Sequence, residues 1–506
     1  MSSKKIIRAV SIVSLGTIIA RVFGLAREIA TANFFGTISI YDAFLLAFMI
    51  PNFFRGLIAE GALNTAFIPV FTEYAIDENK RAEGKDIFNI CFTISLIITT
   101  FLFLLILGVS FISAGIVSET SRWHSVWILV RFTFPYLIFI SLAAINTGIL
   151  NVHKDFFLPS LSPVVLDIFW IAVLFLILPL MPAIPEHQIF VLCAGVILGG
   201  MGQFVFTLMP VIKRGYIPHL NFNFTHPAVK RMGLLLAPMV IGVAVTPINL
   251  LVDNSLAYTL YEGAVSGLWY STRIFQLPLG VFAISISTAV LPWFSENISS
   301  NNHKEFIKNL IFATRMLVFL LLPFTFGMII LKTEIVKILF ERGMFTAKSV
   351  ELVASPLAFY SLGLLGYGGA SVWSRAFYAC KDTATPVKVG ILSILVNFIM
   401  DIILMQFMGH NGIALATSIV GITNFILLVI LFNRRHMCID LKKERLFFFK
   451  IILACILTGC FLYISKRVLS PVLSLPLLLL SCIIVAVLVY IFSTGILIKI
   501  RRLKEE

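Results

Sequence analysis

Apolar stretches long enough to cross a bilayer follow one another along almost the whole chain, and nothing else in the sequence limits the fold so tightly. They lie near residues 8–34, 40–74, 87–117, 125–152, 157–181, 187–212, 231–261, 264–296, 306–332, 349–380, 386–408, 411–433, 446–465 and 470–498, fourteen in all. In hydrocarbon no water satisfies an exposed backbone group, so segments of this length cross as helices. The expected fold class is an all-α polytopic membrane protein with fourteen transmembrane helices. Composition agrees: 59% of the 506 residues are hydrophobic and 13% are charged, where a soluble domain carries about 25% charged residues. Soluble, fibrous and disordered classes are excluded, and the roughly three soluble domains suggested by length alone are overruled. Pro51, Pro135, Pro278 and Pro386 are expected break points or helix starts.

The charge pattern sets an orientation. An even number of spans puts both termini on one side, and loops and tails there hold 25 of the 39 Lys and Arg, against seven in the opposite loops. The positive-inside rule makes that side cytoplasmic, with N-terminus and C-terminus both inside. One outer loop, Lys332 to Lys348, fits this poorly and reads as a short amphipathic segment lying in the interface. The net charge of +14 is topological, so no nucleic-acid partner is expected. Arg21 and Arg27 interrupt the first apolar run, which reads as an uncleaved first helix. The seven cysteines form no CxxC pair and no metal-ligand spacing with histidine.

The chain also repeats itself. Thr65-Ala66-Phe67-Ile68-Pro69-Val70-Phe71-Thr72-Glu73 in the second span returns as Thr288-Ala289-Val290-Leu291-Pro292-Trp293-Phe294-Ser295-Glu296 in the eighth, with five of nine positions identical. Six spans separate the copies, so both run in the same direction. That is the parallel repeat of two six-helix lobes, with the substrate site expected between lobes near the midplane. The expected organisation is two pseudo-symmetric six-helix lobes, 1–225 and 226–440, followed by a C-terminal helix pair, 441–506.

Charges inside the spans single out candidate functional residues, because each costs about 2.5–3.5 kcal/mol at a helix centre on insertion scales. The first two spans hold Arg21, Arg27, Glu28, Asp42, Arg55 and Glu60, and the eighth holds Arg273. Structural pairs such as Arg27 with Glu28, or Asp42 with Arg55, account for individual residues. They do not explain why arginine is concentrated at the start of one lobe and reappears at the matching span of the other. Guanidinium forks in a low-dielectric cavity suit a phosphate or diphosphate, since each binds oxygens in pairs and stays charged. A second polar cluster comprises Asp253 and Asn254 in span seven, Asn397 and Asp401 in span eleven, and Thr417 in span twelve. Asn397 and Asp401 share one helix face. Hard oxygen ligands of this kind suit Na⁺, a titrating proton, or an interhelical hydrogen-bond network. Asp167 and Arg131 read as structural groups.

Several segments resemble the MurJ (MviN) lipid II flippases of the MOP exporter superfamily. They are Ala20-Arg21-Val22-Phe23-Gly24-Leu25-Ala26-Arg27-Glu28, Tyr41-Asp42-Ala43-Phe44, Pro51-Asn52-Phe53-Phe54-Arg55, Ala59-Glu60-Gly61-Ala62, Tyr270-Ser271-Thr272-Arg273 and Lys381-Asp382-Thr383-Ala384-Thr385-Pro386. The resemblance runs from the first span through the twelfth and weakens over the last two. It implies two six-helix lobes around a central cavity, a final helix pair forming a lipid-facing groove, and a bacterial inner-membrane location. It implies transport of lipid II, the undecaprenyl-diphosphate-linked peptidoglycan precursor, to the outer leaflet by a monomer that requires no cofactor.

By resemblance Arg27, Arg55 and Arg273 bind the diphosphate, while Arg21 and Asp42 are needed charges; Glu28, Asn52 and Glu60 complete the candidate substrate-binding set. A possible Na⁺ site takes Asp253, Asn397, Asp401, Thr417 and the carbonyl of Ile413. Departures are Ala20 where serine is common, Glu28 for the usual aspartate, and Gln276 where some members have glutamate. The rivals are a flippase for another polyprenyl-linked glycan and a cation-coupled exporter of the same superfamily. A polyprenyl-phosphate membrane enzyme is a third, but the chain has no HExxH, GxSxG or Asp-rich metal motif.

Overall fold

The computed structural model describes the backbone of residues 3–57, 63–75, 77–437, 439 and 444–505. All regular elements among the described residues are helical, with no strand. The chain divides into two compact units, Met1–Tyr258 and Thr259–Glu506.

The first unit contains α1 (Ser3–Phe35), α2 (Ser39–Arg55), α3 (Leu63–Ala75), α4 (Arg81–Ile116), α5 (Arg122–Thr133), α6 (Tyr136–Val152), α7 (Phe157–Ala172), α8 (Pro185–Lys213) and α9 (Pro227–Tyr258). Helix α1 lies along α7, so closely that a Cβ at Gly16 would sit 1.9 Å from the Ser160 hydroxyl. The fourth span bends by 43° between α5 and α6. Pro135 sits at that bend, where the missing N–H interrupts the helical ladder. Helix α9, which carries the seventh span, packs on α2, α3 and α4.

The second unit contains α10 (Ala264–Pro278), α11 (Ile284–Ser299), α12 (His303–Ile330), α13 (Lys332–Phe340), α14 (Ala347–Leu362), α15 (Leu364–Ala379), α16 (Ala384–Met408), α17 (His410–Arg435), α18 (Arg445–Leu469) and α19 (Leu475–Glu505). After Pro278 a π-helical turn, Leu279–Ala283, leads into α11. Helix α13 is the short amphipathic element read from Lys332–Lys348, burying Val336 and Phe340. The tenth span bends by 44° at Gly363, where no proline stands. There α17 approaches so closely that a Cβ on Gly363 would lie 2.8 Å from the Ser418 Cα.

Among the described residues nine helices are long and apolar enough to cross a membrane, or eleven when each bent pair is one span. The remaining expected spans fall on α1, on α2 with α3, and on α9, which contain or adjoin residues outside the described set. The repeat copies lie on α3 and α11, each carrying its proline inside the helix. Phe101, Phe407 and Leu488 are 64%, 80% and 62% exposed, an apolar exterior suited to lipid rather than water. This is a multi-pass membrane protein.

Candidate functional site

Helix α1 carries Arg27 into the first unit, where α7 meets it. The two terminal nitrogens of Arg27 donate to different carboxylates: Glu28 at 2.7 Å and Asp167 at 2.9 Å. The guanidinium also lies 4.8 Å from the ring centroid of Trp170, whose indole N–H donates to Thr31. Asp167 and Trp170 are three apart on α7, so both face α1. Both Glu28 and Asp167 are buried, at 3% and 4% exposure. A single lysine amine has no such fork with which to bridge two carboxylates on two helices. Asp167, read from the sequence as a structural group, is thus a direct partner of Arg27; its position inside the fifth span marks it as costly but does not name that partner.

A row of rings continues from this cluster. Trp170 packs edge-on to Phe48 at 5.5 Å, Phe48 lies 5.8 Å from Tyr136, and the Tyr136 hydroxyl accepts from Arg55 at 3.3 Å. Arg27 and Arg55 therefore border one aromatic wall built by α2, α6 and α7. Asn52 turns its amide back to the Phe48 carbonyl of its own helix. Arg21 is half-buried on α1. Glu60 lies outside the described residues.

Asp42 is fully buried, and its salt-bridge partner is Arg122 at 3.2 Å, not Arg55. Asp42 and Arg55 share α2 and are thirteen residues apart, about 20 Å along the axis, which prevents pairing. Arg122 also donates to Ser39 and to the Tyr258 carbonyl, while the Tyr258 hydroxyl donates to the Arg122 carbonyl. Asp42 thus fastens the starts of α2 and α5 to the end of α9. The sequence offered no signal for this, because Arg122 lies in a polar loop like any other.

In the second unit Arg273 stands on α10 with its guanidinium 4.1 Å from the Trp269 ring centroid, a cation–π contact. Asn397 and Asp401 do share a face of α16, both buried, and the asparagine amide donates to the aspartate at 2.8 Å. On the neighbouring α17, Thr417 donates to the Ile413 carbonyl at 2.9 Å. These oxygens are hard donors of the kind Na⁺ takes, so the residues present fit that ion. Asp253 belongs to α9 of the first unit, where Asn249 donates to it at 3.3 Å.

An apolar groove of about 370 Å³ runs between α12, α13, α18 and α19, lined by residues such as Phe319, Phe326, Leu462 and Ile483. Ion pairs tie its helices at both ends, Arg315 to Glu444 at 2.6 Å and Lys466 to Glu334 at 2.9 Å. Arg315, near a span end, is thus bound to the start of α18.

A family model described as the lipid II flippase MurJ matches residues 31–483. A probable lipid II flippase MurJ of Vibrio cholerae is 34% identical over 440 residues, covering 84% of this chain and 82% of that protein. Its counterpart in Rickettsia prowazekii is 33% identical over 493 residues, covering 96% of each. A solved structure of lipid II flippase MurJ in an inward closed conformation superposes with a TM-score of 0.77 at 31% identity, covering 96% of this chain and 98% of that one. An inward-facing multidrug resistance MATE transporter of the MOP superfamily shares the fold, with a TM-score of 0.64 at 17% identity. A match that starts in the first helix and ends in the last span, with relatives aligned almost end to end, leaves one conclusion: the chain belongs to the MurJ family of lipid II flippases.

Proposed function

We propose that this chain moves lipid II from the cytoplasmic to the outer leaflet of the bacterial inner membrane, as a monomeric alternating-access transporter rather than an enzyme, with both termini cytoplasmic. The observation that carries the reading is Arg27: a permanent cation held in register by two carboxylates and an indole inside an apolar bundle. Nothing about helix stability requires such a group, since insertion alone costs about 2.5–3.5 kcal/mol. A diphosphate supplies the geometry a guanidinium binds best. Arg27 and Arg55 of the first unit bind it, with Arg21 adding charge, and Arg273 is the second unit's candidate for the same role. The anion competes with Glu28 and Asp167 for Arg27, and that exchange links substrate entry to the packing of α1 on α7. The undecaprenyl tail enters the groove of α12, α13, α18 and α19, which is apolar. Where Na⁺ binds, Asn397, Asp401, Thr417 and the Ile413 carbonyl of the second unit hold it, and its charge helps reset the cycle; Asp253 is the first unit's candidate ligand.

Complementation tests this in a bacterium depleted of its own lipid II flippase. Wild type should restore growth, and Arg27→Ala, Arg55→Ala and Arg273→Ala should each fail at matched membrane levels. Rescue that survives all three substitutions rejects the arginine site. Failure of well-inserted wild type rejects the substrate and favours another polyprenyl-linked glycan.

A further inference from the structure

A second cavity, about 220 Å³, opens inside the first unit among α6, α7 and α8, with Arg55 in its wall. It differs from the tail groove in being lined by Thr147, Asn151, Ser162 and Gln203. Gln203 is 2% exposed, and its amide N–H donates to the Ser162 carbonyl at 3.0 Å. That bond fixes the other end of the amide as the oxygen, and Oε1 has no hydrogen-bond partner. Pro159 and Pro163 of α7 complete that part of the wall. An unpaired acceptor in a bundle core is costly and calls for a donor.

The cavity therefore offers a guanidinium, from Arg55, and an acceptor awaiting an O–H or N–H group, from Gln203. Its volume is below the about 300–1,000 Å³ of pockets that hold drug-sized ligands, and suits a single ring. We propose that this cavity receives the sugar ring attached to the diphosphate, with Gln203 accepting from one of its hydroxyl or acylamino groups while Arg55 holds the adjoining phosphate. This rests on the functional reading above and assigns it a sugar-sensing subsite.

The test compares binding of lipid II and undecaprenyl diphosphate, which has the same tail and diphosphate but no sugar, to the purified full-length chain in nanodiscs. Wild type should prefer lipid II. Gln203→Met and Asn151→Ala should each narrow that preference about tenfold, the worth of one hydrogen bond, and leave undecaprenyl diphosphate binding within about twofold. Asn151 is half-buried at the cavity wall, so its truncation decides the matter if Gln203→Met does not fold. An unchanged preference in the folded variants, as for a cavity that only stores water, overturns the subsite alone. Equal loss of both ligands also overturns it. Wild type that binds neither ligand rejects the functional reading and the subsite together.

Discussion

Arg27 donates through separate nitrogens to carboxylates on two helices, so its shape matters as much as its charge. Arg27→Lys keeps the cation but loses the fork, and complementation should fail at matched membrane levels. Asp167→Asn retains the hydrogen-bonding outline while removing one competing anion. Undecaprenyl diphosphate should then bind several-fold tighter in a direct binding measurement, and slower release should weaken rescue. Equal or weaker binding would show that Asp167 orients Arg27 rather than competing for it. At this scale the sequence identified the intramembrane arginines by their cost alone, since a charge in an apolar run is visible without neighbours. It offered Glu28, the chain neighbour of Arg27, as a partner, but not the distant ones. Asp167 is 140 positions from Arg27 and Arg122 is 80 from Asp42, and only the fold brings each pair together.

Helix starts and bends show the same division. Pro135 marked its bend in advance because a missing N–H is a local property. Gly363 did not, because its close contact with Ser418 lies on another helix 55 positions away. Helix α16 begins after Lys381 in a left-handed conformation, with Asp382 accepting from the Thr385 backbone at 3.0 Å and its hydroxyl at 2.6 Å. His436, just beyond α17, also donates to Asp382 at 3.2 Å. Partial burial alone would raise the Asp382 carboxyl, but the bonds from Thr385 and His436 outweigh it and hold it below its ordinary value of 3.8. Since the folded value is the lower one, the stability it contributes is complete above that ordinary value and disappears as pH falls through the folded one. Asp382→Ala should lower thermal stability by about 1 kcal/mol at neutral pH, as for loss of a helix cap. Its deficit against wild type should shrink in melts taken below the ordinary carboxylate range.

The largest-scale features are the groove and the cation cluster. Ala486 lines the groove on α19, and Ala486→Trp should obstruct it. Affinity for undecaprenyl-linked substrate should fall toward that of a short-prenyl analogue, which should itself bind as before; equal loss of both would place the tail elsewhere. Na⁺ should raise the melting temperature of wild type, and Asp401→Asn should abolish that rise while leaving the melt in K⁺ nearly unchanged. A Na⁺ response that persists in the variant would reduce the Asn397–Asp401 contact to a structural hydrogen bond.

The amino-acid sequence by itself determined the solvent, the element type and the repeat. Hydrocarbon admits helices of about twenty apolar residues and little else, so composition and run length carry that information locally. It also determined which residues are too costly to be incidental. The tertiary structure decided the pairings: Arg27 with Asp167 and Trp170, Asp42 with Arg122, and the acceptor-lined cavity beside Arg55. Those depend on which helix faces meet, and side-chain packing between distant spans has no periodic trace in the chain.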